Sequence, residues 1–200
     1  MTLALIDYGA GNLHSVANAL KTAGCEAMIT ADPDVIAQAD RIVLPGVGAF
    51  GACASALRAI PGMVEALDQR VLDEGAPFLG VCVGMQLMAS TGDEMGEHAG
   101  LGWFDGRVSR LNPTDPAAKV PHMGWNDVTP AADHALVQPG EAYVLHSYSY
   151  EGPDVIATTD HAGLVTAAIG RDNMIGVQFH PEKSQRYGIA LLERFLEWRP

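Results

Sequence analysis

The run Pro77-Phe78-Leu79-Gly80-Val81-Cys82-Val83-Gly84-Met85-Gln86-Leu87 sets a thiol inside G-x-C-x-G at the end of an apolar stretch. With serine at its centre, this pattern is the strand-turn-helix elbow on which hydrolases present a nucleophile, and small flanking residues let strand and helix approach. Gly80 and Gly84 fill those flanks. A cysteine at such a corner meets the first N–H groups of the next helix, whose dipole favours a negatively charged sulfur. Alone, the pattern fits equally a buried cysteine packed as a small apolar residue. A partner base decides between the two.

Gly176-Val177-Gln178-Phe179-His180-Pro181-Glu182 offers one. It puts an imidazole at a strand end and a carboxylate two residues on, which period two brings to the same side if the chain stays extended. Pro181 biases His180 toward extended angles. Thiol, imidazole and carboxylate are the components of a nucleophilic triad, with Cys82 attacking, His180 moving the proton and Glu182 orienting the ring. Taken alone, H-P-E at a strand end is more often plain surface, and only the fold brings it to the thiol.

Acyl transfer also needs oxyanion donors, and the Val83 amide beside the thiol is one. Pro45-Gly46-Val47-Gly48, following an apolar strand, supplies a second backbone N–H around Val47. Gly46 and Gly48 tolerate positive φ, so the Val47–Gly48 peptide is expected to rotate and exchange its carbonyl for an N–H. Gly46-Val47-Gly48-Ala49-Phe50-Gly51 is also literally G-x-G-x-x-G, the dinucleotide fingerprint. That second reading suffers from its place after the third strand and from Glu65, the acidic residue at the expected distance, falling in a helical stretch.

The elements that must position these groups alternate. Leu3 to Ile6, Ala27 to Thr30, Arg41 to Leu44 and the stretch ending at Val81 read as short strands, separated by helical spacing over Leu13, Val16, Ala17 and Leu20, by a short helix opened at Asp32-Pro33-Asp34, and by helical stretches broken at Pro61-Gly62. Parallel β/α alternation follows, and it brings strand C-terminal ends to one edge. A helix is expected from Gly84. Beyond Gly100 the texture is extended: Gly106 to Leu111, Lys119 to His122, Asn126 to Thr129, Ala142 to Tyr150, Val155 to Thr159, Leu164 to Ile169 and Met174 to Phe179. Asp160–Gly163 and Gly170–Asn173 read as hairpin turns, and Ile189, Leu192, Phe195 and Leu196 as a closing helix. The fold class is α/β: an open, doubly wound, mostly parallel sheet flanked by helices, with antiparallel strands added in the C-terminal half, residues 1–200 forming a single domain.

At 48% hydrophobic residues the 200-residue chain can build one sizeable core. Twelve basic against twenty-four acidic residues leave a formal charge of −12, which works against nucleic acid and anionic membranes as partners. Cys25, Cys53 and Cys82 are odd in number and widely spaced, so neither a disulfide framework nor a zinc site is indicated; Cys25 and Cys53 are expected to pack as apolar residues. The histidines lack H-x-H or H-E-x-x-H spacing, and no metal or cofactor is expected. With no signal-like N-terminus and no apolar run near about 18 residues, the expected location is a reducing cytoplasm.

With these residues in view, the chain resembles the class I, triad-type glutamine amidotransferases, and within them the glutaminase subunits of imidazole glycerol phosphate synthase. The marks are Ile6-Asp7-Tyr8-Gly9 with Gly11-Asn12-Leu13, Leu44 to Phe50, Gly80 to Gln86, Lys119-Val120-Pro121-His122-Met123-Gly124-Trp125-Asn126, His146-Ser147-Tyr148 and Gln178 to Ser184. Val81 and Val83 depart from the commoner Ile and Leu of the elbow. The resemblance implies Cys82, His180 and Glu182 as the triad, with glutamine as substrate in a pocket from Gly48, Gln86, Glu94, Ser147 and Tyr148. It also implies ammonia passed to a (β/α)₈ cyclase in a heterodimer for histidine biosynthesis, with Asn12, Trp125, Tyr143 and Lys183 at the interface. Two alternatives stay open: a glutaminase subunit serving another synthase, and a non-catalytic binding subunit of the same fold.

Overall fold

The computed structural model describes residues 1–200. Its main sheet begins with β1 (Leu3–Ile6), β2 (Met28–Thr30), β3 (Arg41–Leu44) and β4 (Phe78–Val81), paired in parallel in the order β2-β1-β3-β4. Every residue of β1, β3 and β4 is buried. That is why they read as apolar runs, apart from the buried Arg41 that opens β3: helices cover both faces of a parallel sheet, so no face is left to be polar.

The helices carry recognisable start signals. Asn12 accepts the Ser15 N–H to cap α1 (Leu13–Thr22), and Asp32 accepts from Asp34 before the Pro33 that opens α2 (Pro33–Ile36). Next come α3 (Phe50–Arg58) and α4 (Met63–Leu67), separated at Pro61-Gly62 as expected; α4 runs on into a wider helical turn over Asp68–Asp73. The helix expected from Gly84 is a single turn, α5 (Val83–Gln86). After it the chain enters a second sheet through β5 (Ala89–Gly92) and β6 (His98–Ala99), two strands too short and too polar to show an alternating pattern. β7 (Phe104–Arg110) joins that sheet.

Of the extended stretch expected at Lys119–His122 only His122 is in a strand; it opens β8 (His122–Pro130), which continues through Asn126–Thr129, while Lys119–Pro121 form an irregular approach. Gly124, at φ +131°, interrupts the pattern without ending the strand. Conversely Ala142–Tyr150 divides at Ser147 into β9 (Gly140–His146) in the main sheet and β10 (Tyr148–Glu151) in the second. The chain then makes β11 (Val155–Asp160), β12 (Leu164–Arg171) and β13 (Met174–Val177), joined by the two expected hairpin turns, and closes with α6 (Gln185–Glu197).

The nine-stranded sheet runs β2-β1-β3-β4-β13-β12-β11-β8-β9, and the second sheet runs β10-β7-β5-β6. β13 is the junction of the larger one. It lies parallel to β4 and antiparallel to β12, so the last strand in sequence sits beside the strand that carries the thiol and ends at the same edge.

Candidate active site

Cys82 follows β4 with φ 54° and ψ −113°, a backbone region that costs a non-glycine residue about 1–3 kcal/mol. Close packing holds it there. A Cβ on Gly84 would overlap the Leu44 carbonyl oxygen, and one on Gly80 would lie 2.8 Å from the Gly84 oxygen and the Met85 nitrogen. The Cys82 N–H donates to the Val177 carbonyl at 2.8 Å. The two glycines are therefore what allows the elbow to fold against β3 and α5. Since α5 is one turn, the dipole invoked from the sequence is that of a short helix, and hydrogen-bonding partners carry more of the sulfur's environment. Gln178 is one: its Nε2 lies 3.7 Å from Cys82 Sγ, and its Oε1 accepts from Gln86 Nε2 at 3.0 Å.

His180 is brought to Cys82 by β13. The extended chain assumed from the sequence stops short of Glu182: His180 is extended at φ −101°, ψ 99°, whereas Pro181–Lys183 form a 3₁₀ turn. The carboxylate reaches back from that turn, with Glu182 Oε1 2.9 Å from His180 Nδ1 and both side chains buried. Burial pulls His180 down, but hydrogen bonds to Cys82 and Glu182, and the negative charge of both, outweigh it and raise the imidazole to about 9. The ring is thus held as a strong proton acceptor.

The loop after β3 contradicts one expectation. The carbonyl of the Val47–Gly48 peptide, expected to exchange for an N–H, is instead engaged: it accepts from Cys53 Sγ at 3.4 Å. On the other side Tyr8 Oη donates to the Pro45 carbonyl at 2.8 Å. Between these two tethers the Gly46 carbonyl accepts the Val83 N–H across 3.4 Å, a long and weak bond. Of the three successive carbonyls, that of the Gly46–Val47 peptide is thus the most weakly held by distance to a backbone donor, and its oxygen lies on the N–H beside the thiol. Cys53 is buried as expected, yet its sulfur has a polar partner as well.

A cavity of about 310 Å³ opens over Cys82 and His180, lined among others by Val47, Gly48, Val83, Gln86, Glu94, Leu145, His146, Ser147, Tyr148 and Lys183. All five residues named for the substrate pocket are on its wall. Glu94 Oε2 accepts the Phe50 N–H at 2.8 Å, which caps α3 with a carboxylate. An occupied helix start leaves no seat for a pyrophosphate, and the dinucleotide reading of Gly46–Gly51 loses its physical basis. Of the four residues expected at an interface, Trp125 and Tyr143 are register partners on β8 and β9 with rings 6.1 Å apart, and Lys183 Nζ stands 5.8 Å from the Tyr143 ring centre. Met123 and Leu145, paired one step along, share that exposed face. Asn12 is exposed at the start of α1. The sequence assigns no site role to Gln178, Tyr8, Cys53 or His146, although Tyr8, His146 and Gln178 fall inside the quoted motifs and Gln178 stands as a polar residue closing an apolar strand.

The family model described as "Glutamine amidotransferase class-I" matches residues 4–198. The chain belongs to that family. It is 60% identical over 206 residues to the imidazole glycerol phosphate synthase subunit HisH of Zymomonas mobilis, covering 100% of this chain and 97% of that one. It is 50% identical over 214 residues to the protein of the same description from Rhodospirillum rubrum, covering both in full. Among solved structures, one described as a glutamine amidotransferase superposes with a TM-score of 0.76 at 17% identity over 98% of each chain. The PurLQS structure from Thermotoga maritima gives 0.74 at 16% identity, over 98% of this chain and 97% of that one. At those identities the structures speak for the fold, and amidotransferase membership rests on the sequence matches.

Proposed function

We propose that this chain is the glutaminase subunit of an imidazole glycerol phosphate synthase: it hydrolyses glutamine to glutamate and ammonia, and delivers the ammonia to a cyclase subunit for histidine biosynthesis in the cytoplasm, residues 1–200 acting as one domain. The observation that carries the reading is the Cys82–His180–Glu182 arrangement at the floor of a cavity of substrate size, in a chain so similar to HisH subunits.

Cys82 gives its proton to His180, and the thiolate attacks the side-chain amide carbon of glutamine. The oxyanion is held by the N–H groups of Val83 and Val47, and the His180 imidazolium protonates the departing ammonia. Water, deprotonated by His180, then opens the γ-glutamyl thioester and frees Cys82. Glu182 keeps the ring's Nδ1 hydrogen directed at itself. Gln86 spends its amide hydrogens on Tyr148 and Gln178, so Oε1 is the atom it offers to substrate. Glu94, with one oxygen committed to Phe50, offers the other to the α-ammonium group.

The free subunit is set to be slow. With the Gly46 oxygen on the Val83 N–H, one donor is masked and the Val47 N–H is turned away; one such donor is worth roughly 10²–10³ in rate. Rotation of Gly46–Val47 between its two tethers removes the mask. Docking of the cyclase against Trp125, Tyr143, Lys183 and Asn12 provides a reason to rotate only when ammonia has an acceptor. Glutamate release from saturating glutamine, measured for the chain alone, with the cyclase and with cyclase plus its ribotide substrate, tests this. Turnover should rise by orders of magnitude across the three; equal rates would refute the switch, and no glutamate in any would refute the glutaminase.

A further inference from the structure

A chain of side-chain hydrogen bonds runs behind the cavity wall, through two histidines that take no part in the chemistry above. Asn126 fixes its outer end. Its Oδ1 accepts the Asp127 N–H at 2.8 Å, which identifies Nδ2 as the donor of both remaining bonds, one to the Asp160 carbonyl at 2.7 Å and one to His122 Nε2 at 2.9 Å. A ring nitrogen that accepts carries no hydrogen, so the hydrogen of His122 is on Nδ1. That atom lies 3.2 Å from His146 Nε2, which must accept in turn. The hydrogen of His146 is therefore on Nδ1, 2.9 Å from the Tyr148 carbonyl oxygen.

One assignment satisfies every contact, and it requires both rings to be neutral. A second proton on either would set two N–H groups against each other. The surroundings agree: burial first, then the charges of His146 and His161, lower His122 to about 4, and burial with the charges of His161 and His180 lowers His146 to about 4 against the Tyr148 bond. His161 stacks on His122 with ring centres 4.0 Å apart and gives its own Nε2 to the Lys119 carbonyl. Three neighbouring histidines suggest a metal, but their facing nitrogens are spent on one another and on backbone, and no group with metal-holding geometry is present.

The inner end is the telling one. The Tyr148 carbonyl accepts from His146 on one side and from Gln86 Nε2 at 3.0 Å on the other, and Gln86 continues through Gln178 to the Cys82 sulfur. A single carbonyl joins the wall strand to the thiol. We infer that His146 and His122 are positioning residues for the glutamine site, holding the Tyr148 carbonyl and the Ser147–Tyr148 wall in place as neutral rings with the hydrogen on Nδ1. This rests on the cavity being the glutamine site. The neutral state also matters for His180 next door, because a cation at His146 would oppose the imidazolium formed in catalysis.

The test uses the complex of this chain with its cyclase, saturated with the cyclase's ribotide, and variants at both rings. The Nδ2 of asparagine falls near the Nδ1 of histidine, so His146→Asn keeps the donor to Tyr148 whereas His146→Leu removes it. Loss of one such bond should raise the KM for glutamine about tenfold, with kcat within about threefold. His146→Asn should recover most of that, and His122→Phe should show a smaller rise. Equal KM in wild type and His146→Leu, or equal losses in the leucine and asparagine variants, would overturn the proposal. Nitrogen-15 NMR of the wild-type complex at pH 7 reads the same claim without a variant: both rings must appear as Nδ1–H tautomers, and an Nε2–H or charged ring at either position overturns it. A wild-type complex that does not hydrolyse glutamine would remove the site reading and this proposal together. An active wild type with an indifferent leucine variant removes this proposal alone.

Discussion

The parallel strands and the antiparallel strands of the large sheet do different work. β4 and β13, parallel to each other and buried throughout, end side by side and carry Cys82 and His180. The antiparallel extension ends at the β8–β9 edge, buried on one face and exposed on the other, and the chain leaving β9 supplies Ser147 and Tyr148. The proposed reacting atoms thus sit where backbone position is fixed by packing on both sides. The cavity wall and the proposed docking surface sit where one face is free to meet something else. In kinetic terms, damage to the first region should appear in kcat and damage to the second in KM or in subunit affinity.

The largest effect should come from Cys82→Ala, which is expected to lower glutamine-dependent turnover of the complex by at least about 10⁴-fold. The same complex fed ammonium salts should make product at the wild-type rate, since that chemistry belongs to the other subunit; loss of both activities in an assembled complex would break the division. Next come the proton groups. His180 is held protonated up to about 9, and departing ammonia needs that proton, so kcat/KM should hold up to about pH 9 and fall above it. The raised value also contributes stability that is complete below about 6.5, the ordinary histidine value, and is lost as pH rises through about 9. Glu182→Gln removes one of the raising interactions, and the basic limb should move down toward the ordinary range. Its loss in kcat should be smaller than that of His180→Ala, and matching losses would argue against an orienting role.

A smaller change is expected at the wall. Glu94→Gln keeps an acceptor for the Phe50 N–H but drops the charge proposed to face the substrate's ammonium, so the KM for glutamine should rise about tenfold at nearly constant kcat and unchanged melting temperature. A kcat effect of the same size would mean that the region takes part in chemistry. The smallest should be Trp125→Ala, weakening cyclase binding about fivefold in a titration without changing the glutamine KM of the assembled complex.

The same contrast explains what was legible in the sequence. Strands β1, β3, β4 and β13 announce themselves as apolar runs, and the elbow and H-P-E motifs are local, so the thiol, imidazole and carboxylate were readable together with the parallel core. Gly124 hid the continuity of β8, and the polar residues of β5 and β6 hid the second sheet. The hydrogen bonds around the site join residues far apart: His122 to His146, Gln86 to Tyr148 and Gln178 to Cys82. No spacing rule covers such pairs, because they follow from register between strands that meet only after folding. The oxyanion loop failed differently. Its glycines showed that a peptide could turn, but which peptide depends on the Tyr8 and Cys53 tethers, supplied by β1's loop and by α3.

Tyr143 belongs to both regions at once. Its ring stands on the exposed face beside Trp125 and Lys183, while its carbonyl accepts the His180 N–H at 2.9 Å and its N–H donates to Ser184 Oγ at 2.9 Å; that hydroxyl in turn donates to the His180 carbonyl at 2.6 Å. The backbone of the histidine is held by Tyr143 directly at its N–H and through Ser184 at its carbonyl, and Tyr143 belongs to the strand proposed to meet the cyclase. A rigid clasp of this kind makes the two surfaces a single mechanical part. Any partner that displaces β9 carries the imidazole along with it, and any partner that steadies β9 steadies the proton's address, so recognition and proton transfer share one mounting point.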